Sequence, residues 1–177
     1  MAIIIDTNCF SRVFCRKNKE HEDFAPVLEW VLHGHGFLVY GGSKYKQELR
    51  DCMKFMHFFN MLKTARKAFT FDDDEIDKLQ AEYEKMIQHP DFDDPHLPAI
   101  VRVSKCRLIC SRDFRSVPFV TDPALYPKRF HVPQYYSSKR DAWLLTDDNI
   151  DKRLLSYRTQ ISKQQKEGLY RFVDTVK

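Results

Sequence analysis

Ala2-Ile3-Ile4-Ile5-Asp6-Thr7-Asn8 opens the chain behind Met1: four apolar residues in a row, three of them β-branched, halting on a carboxylate. A strand wetted on one face alternates apolar with polar, whereas an unbroken apolar run marks a strand covered on both faces, as in a parallel sheet. Asp6 then stands at the strand's carboxyl end, the edge at which open α/β sheets bind ligands. Two more runs read the same way. Phe37-Leu38-Val39-Tyr40 is closed by Gly41-Gly42, and Arg107-Leu108-Ile109-Cys110 turns through Ser111-Arg112-Asp113, so a second strand ends near an aspartate.

Helical spacing fills the gaps between these runs. Apolar residues at 24, 27, 28, 31 and 32 predict a helix that ends in His33-Gly34-His35-Gly36, a pair of histidines that reads as a solvated turn. Ser43 is placed as the N-cap of a helix over 44–59 with the stripe Tyr45, Leu49, Cys52, Met56 and Phe59. Residues 67–71 read as a short strand or connector. One of Asp72, Asp73 and Asp74 caps a helix over 75–88, and Asp94 as N-cap with Pro95 behind it starts another that runs to about Lys105. Residues 117–120 read as a last short strand, 121–136 as an ordered Pro- and aromatic-rich wrap, and 149–176 as one or two basic amphipathic helices. This order predicts an α/β fold with a central, mostly parallel sheet flanked by helices on both faces and a C-terminal helical extension. Residues 1–120 form the expected core, and 121–177 an extension packed on the same domain.

With 177 residues, 43% apolar and 14% aromatic, the chain can bury a full core, which argues against disorder. No apolar run approaches the roughly 20 residues of a membrane span, and the apolar start is too short for a signal peptide, so a cytoplasmic protein without a membrane partner is expected. Cys9, Cys15, Cys52, Cys106 and Cys110 are odd in number and hold no C-x-x-C pair, which predicts reduced thiols. The net charge of +4 is unevenly spread: residues 70–94 carry a local −8 and residues 123–177 a local +5. Such segregation points to a polyanion partner and a separate carboxylate-rich place.

Four acids differ from the rest in position. Asp6 and Asp113 follow strands, Asp94 precedes a helix, and Glu48, three residues from Tyr45 and four from Cys52, lies at the edge of a buried stripe. Parallel strands bring their carboxyl ends to one edge, where these groups would repel one another unless a divalent cation neutralised them, and hard oxygen ligands favour Mg²⁺ or Mn²⁺. Basic residues near these points are candidate nucleic-acid contacts: Arg12, Arg16, Lys17 and Arg112, and in the extension Lys139, Arg140, Lys152 and Arg153. Tyr135 and Tyr136 are candidate stacking surfaces for unpaired bases.

In this order, Ile3-Ile4-Ile5-Asp6-Thr7-Asn8, Gln47-Glu48-Leu49, Asp94-Pro95-His96-Leu97-Pro98-Ala99 and Leu108-Ile109-Cys110-Ser111-Arg112-Asp113 resemble the motifs of PIN-domain nucleases, with separations of 42, 46 and 19 residues between the acids. The resemblance spans about residues 2–120. It implies a metal-dependent endonuclease, most often an endoribonuclease, with Asp6, Glu48, Asp94 and Asp113 around Mg²⁺ or Mn²⁺. By the same matching Asn8 and Ser111 are polar site residues, while Asp93, a departure from the family pattern, competes with Asp94 for the metal role. A metal-activated water would attack the phosphodiester in line, with Glu48 holding a second ion or activating the water. Toxin-type members are held by an antitoxin, so a restraining protein or a homodimer joins RNA, and possible single-stranded DNA, among the expected partners.

Two other function classes compete. One is a PIN-like module that binds RNA or protein without cutting. The other is an α/β phosphatase or phosphotransferase with Asp6 as nucleophile, against which stands Asn8 where a D-x-D motif has its second aspartate. A P-loop is excluded, because no G-x-x-x-x-G-K-[ST] occurs.

Overall fold

The structure is a computed structural model that describes residues 2–146 and 161–176. The opening run forms β1 (Ala2–Ile5), which is followed by α1 (Phe10–Phe14), α2 (His21–Leu32), β2 (Phe37–Tyr40), α3 (Ser43–Asp51), α4 (Met53–Thr64) and β3 (Ala68–Thr70). Then come α5 (Asp73–Met86), α6 (His96–Ser104), β4 (Leu108–Cys110), α7 (Val117–Val120), β5 (Gln134–Tyr136) and α8 (Lys163–Thr175). The five strands make one all-parallel sheet in the order β3-β2-β1-β4-β5. β1 lies in the middle, with Ile3 opposite Leu38 of β2 and Ile5 opposite Cys110 of β4. Every residue of β1, β2 and β4 is buried, so both faces of the sheet's centre are covered, as the unbroken apolar runs require.

The strand order reverses at β1: the chain moves outward to β2 and β3, then returns to the other side for β4 and β5. A crevice opens beyond the strand ends at such a switch point. Here those ends are Asp6 after β1 and Ser111–Asp113 after β4, tied together by Asp6 N donating to Cys110 O at 2.9 Å.

Five local readings need correction. The helix expected over 44–59 is two helices, broken at Cys52, whose ψ of 50° leaves the helical region. The break lets Tyr45 and Leu49 pack toward the sheet, while Phe55, Phe58 and Phe59 turn inward onto Phe10 and Phe14 and Leu62 is buried in the core, with Met56 only half-buried. Ser43 is the first residue of α3 and not its cap. Its N–H donates across to the Asp77 carboxylate of α5 at 2.7 Å, which caps the helix from outside. Residues 117–120 are helical, with Pro118 in the first turn where no N–H is needed. The sheet position beside β4 is instead taken by β5, three residues after Pro133 that are too short to show a period. Finally, α6 starts at His96 with Pro95 at the cap position, and the Asp94 carboxylate makes no capping bond.

The segment after residue 120 is built into the domain. β5 pairs with β4, Tyr136 donates to Asp23 O at 2.8 Å, and on α8 Phe172 stacks on Phe58 while Arg16 N donates to Val173 O. The part of the expected basic helices at 149–160, with Lys152 and Arg153, lies outside the described residues. All five cysteines carry free thiols. Among the described residues, no helix is long and apolar enough to cross a membrane.

Candidate metal centre

The crevice at the switch point is an open cleft of about 430 Å³, lined by Asp6, Thr7, Asn8, Arg12, Glu48, Asp93, Asp94, Arg112, Asp113 and Arg115. All four acids singled out by position in the sequence are in it, together with Asn8 and Asp93. Ser111 lies just beneath, 1% exposed, with its hydroxyl donating to Asp6 Oδ2 at 2.7 Å.

Each carboxylate is delivered by a different element. Asp6 follows β1 and is only 5% exposed. Its Oδ2 accepts from the Asn8 amide at 2.6 Å as well as from Ser111, and its Oδ1 accepts from Asn8 N at 3.2 Å. Burial raises its pKa, hydrogen bonds from Ser111 and Asn8 oppose the rise, and the charges of Glu48 and Asp113 add to it. Glu48 rides on α3, where Thr7 Oγ1 donates to its Oε2 at 3.0 Å and Lys44 sits 3.5 Å from its Oε1. α3 is in turn fixed at its start. Gly42, at φ 79°, donates to Asp73 Oδ1, and Lys46 pairs with the same aspartate.

Asp94 sits in the loop before α6 and shows the largest shift among the cleft's carboxylates. Burial first, then the charges of Asp6, Asp93, Glu48 and Asp113, push its pKa up to about 7. One oxygen each from Asp93, Asp94 and Asp113 lie within 4.8 Å of one another. Asp113 is stabilised as a carboxylate: burial works against it, but hydrogen bonds and charge from Arg115 outweigh burial and hold its pKa below the ordinary value. Arg115 reaches Asp113 at 3.1 Å and Asp91 and Asp93 at 3.6 Å. Five carboxylates therefore share the cleft with three guanidinium groups, and the donor set is all oxygen apart from one ring described next.

His96, in the first turn of α6, is 1% exposed. Its Nε2 is 3.8 Å from Glu48 Oε2 and its Nδ1 is 4.0 Å from Asp94 Oδ1, both too long for hydrogen bonds, and Nδ1 is buried without a partner. Such an orphaned group costs about 1–3 kcal/mol. Burial, with Lys44 nearby, pushes the ring pKa down to about 3, so it stands neutral beside two carboxylates.

The expected nucleic-acid contacts divide. Arg12 and Arg112 line the cleft, each drawn to Glu20, at 2.8 Å and 3.6 Å. Arg16, Lys17, Lys139 and Arg140 are not cleft-lining residues. Arg16 turns to α8, 2.8 Å from Asp174 and over the Tyr170 ring, and Lys139 pairs with Glu22 at 2.7 Å. The stacking role for Tyr135 and Tyr136 is corrected. Tyr136 is fully buried in β5 against Phe24, and Tyr135 is half-buried with its hydroxyl enclosed, because both belong to a strand of the sheet. The exposed ring by the cleft is Phe114, between two lining residues and under the Arg112 guanidinium at 5.6 Å.

Sequence reasoning missed Thr7, His96, Phe114 and Arg115 as site residues. For His96 a signal existed: it is a lone ionisable side chain at the head of the apolar run Leu97–Val101. Arg115 carries no such mark until Asp91, Asp93 and Asp113 are brought together. No model of a known protein family and no curated protein matches the chain.

Proposed function

We propose that the chain is a divalent-metal-dependent endonuclease that hydrolyses phosphodiester bonds, with RNA as its substrate. The observation that carries this reading is the meeting of Asp6, Glu48, Asp94 and Asp113, from four separate elements, in one open cleft where Asp94 has its pKa raised to about 7 by burial and neighbouring carboxylates. Carboxylates so crowded fit a hard cation, and hard oxygen donors match Mg²⁺ or Mn²⁺. When bound, such an ion supplies polarisation of a phosphate oxygen and a more acidic water at neutral pH.

The chain's own residues supply the rest. Asn8 and Ser111 hold the Asp6 carboxylate in one orientation, and Thr7 holds that of Glu48. Arg12, Arg112 and Arg115 at the cleft walls offer planar donors matched to phosphate oxygens. Phe114, exposed at the rim, offers a face to an unpaired base. Asp6 as a phosphoryl-accepting nucleophile is less favoured, since its Oδ2 already accepts two hydrogen bonds and the residue is almost wholly buried.

The test is cleavage of single-stranded RNA and DNA oligonucleotides with Mn²⁺ or Mg²⁺, using EDTA and the Asp6→Asn and Asp113→Asn variants as controls. Cutting that needs the metal and is lost in both variants is the expected result. RNA binding without cutting under either metal would move the assignment to a non-cleaving binding module.

A further inference from the structure

We propose that His96 is a metal ligand, and that His96, Glu48 and Asp94 together form a nitrogen-containing subsite that selects a first-row transition ion such as Mn²⁺ or Co²⁺ over Mg²⁺. The inference deepens the metal-centre reading above and rests on it.

Six polar or charged residues are buried among the described ones: Asp6, Lys67, His96, Ser104, Ser111 and Ser116. The other five have hydrogen-bonded side chains. Even Lys67, 1% exposed at the opposite end of the sheet, donates to the carbonyls of Gly34 and Gly36. His96 differs in that its Nδ1 has no partner while its ring lies between Glu48 and Asp94. One donor atom from each of the three residues lies within 4.8 Å of the others.

These separations suit a shared ion. An imidazole gives an ion a single nitrogen: Nε2 stands 3.8 Å from Glu48 Oε2 and Nδ1 stands 4.0 Å from Asp94 Oδ1, so either pair fits the roughly 4.2 Å that two ligands at about 2.1 Å from one metal can span, and with one donor atom taken from each residue all three lie within 4.8 Å. The ring is also held. It packs edge-on to Tyr45, whose hydroxyl donates to Ile5 O at 2.5 Å, so the imidazole is preset rather than recruited from solvent. Imidazole nitrogen is a good donor to first-row transition ions and a poor one to Mg²⁺, which prefers oxygen and retains its waters. The imidazole adds this preference to whatever a carboxylate-only cluster carries.

The experiment uses tag-free, metal-stripped full-length chain titrated with Co²⁺ or Mg²⁺, read by visible absorption for Co²⁺ and by calorimetry for both. Wild type should bind Co²⁺ at least about tenfold more tightly than Mg²⁺. In His96→Gln, which keeps a polar side chain of similar length, Co²⁺ affinity should fall about tenfold or more with Mg²⁺ affinity unchanged. Equal Co²⁺ affinity in wild type and His96→Gln would overturn the proposal. Should the variant fold poorly, ring ¹⁵N shifts of wild type on adding Zn²⁺ decide: a shifted His96 signal supports ligation, and an unmoved one refutes it. Co²⁺ binding that needs His96, in a chain that cuts no RNA with any ion, would keep the subsite and remove the nuclease reading. RNA cleavage with Co²⁺ affinity indifferent to His96 would do the reverse.

Discussion

Asp94 carries the largest electrostatic burden in the cleft, and its consequences have a definite sign. Its folded pKa of about 7 lies above the ordinary 3.8, so the native state holds this proton more tightly than the unfolded chain. The metal-free protein therefore gains stability as pH falls from about 7 toward 4, and the penalty is complete above 7. At about 1.4 kcal/mol per pKa unit the cost is at most on the order of 4 kcal/mol, and partial exposure of the side chain reduces it. Asp94→Asn should raise the thermal midpoint in EDTA by several degrees at pH 8, with the gain vanishing near pH 4, while abolishing cleavage. A pH-independent difference between the two melting curves would contradict this account. Thr7 sets a second expectation. Its Oγ1 holds Glu48 Oε2 at 3.0 Å, and a hydrogen bond to a charged group contributes about 1.5–3 kcal/mol. Thr7→Val should therefore lower the cleavage rate about tenfold or more with circular dichroism unchanged; a wild-type rate would show that Glu48 needs no such support.

At the scale of elements, α3 decides where Glu48 sits, and α3 is positioned by its first residues rather than by its apolar stripe. Gly42 has φ 79°, and a Cβ there would lie 2.6 Å from Ile76 Cγ2 and 3.1 Å from Asp77 Oδ1. Gly42→Ala should cost about 1–3 kcal/mol by urea denaturation and reduce cleavage as well, because the whole helix must shift. Unchanged stability would mean that the turn relaxes without moving α3. α2 was legible from its apolar period and α5 from its start signal, where the N-cap is one of the three expected aspartates, Asp72, accepting from Glu75 N at 2.8 Å. The break at Cys52 was not, since a stripe of 3.6-residue spacing reads as continuous until the two halves have different surfaces to cover. Asp94 looked like an ordinary cap for a related reason. Asp-Pro before an apolar helix is a good start signal, and only the tertiary fold shows its carboxylate turned to the cluster instead.

For the whole molecule, the sheet depends on both ends of the chain. β5 closes the side of β4, and α8 buries Leu169 and Val173 in the common core. A chain ending at residue 120 would expose the β4 edge and leave that core open, so it should aggregate or unfold without a cooperative transition, as scanning calorimetry would reveal. A sharp, reversible transition in that fragment would show that the first 120 residues suffice. Binding of RNA to full-length protein should weaken linearly in log affinity against log salt concentration, since the contacts on offer are guanidinium groups on phosphate. Salt-insensitive binding would point to a different ligand.

The parallel α/β class and the four acids were legible because both are local signals: unbroken apolar runs require cover on both faces, and a carboxylate at a strand end or on a stripe's edge stands out within a few residues. What the tertiary structure alone decided are relations across long separations. Ser111 bonds to Asp6 over 105 positions and Thr7 to Glu48 over 41, β5 finds β4, Arg115 gathers three aspartates, and His96 loses its water beside two carboxylates. No local period encodes these, because burial and charge proximity depend on which segments the folded sheet brings together.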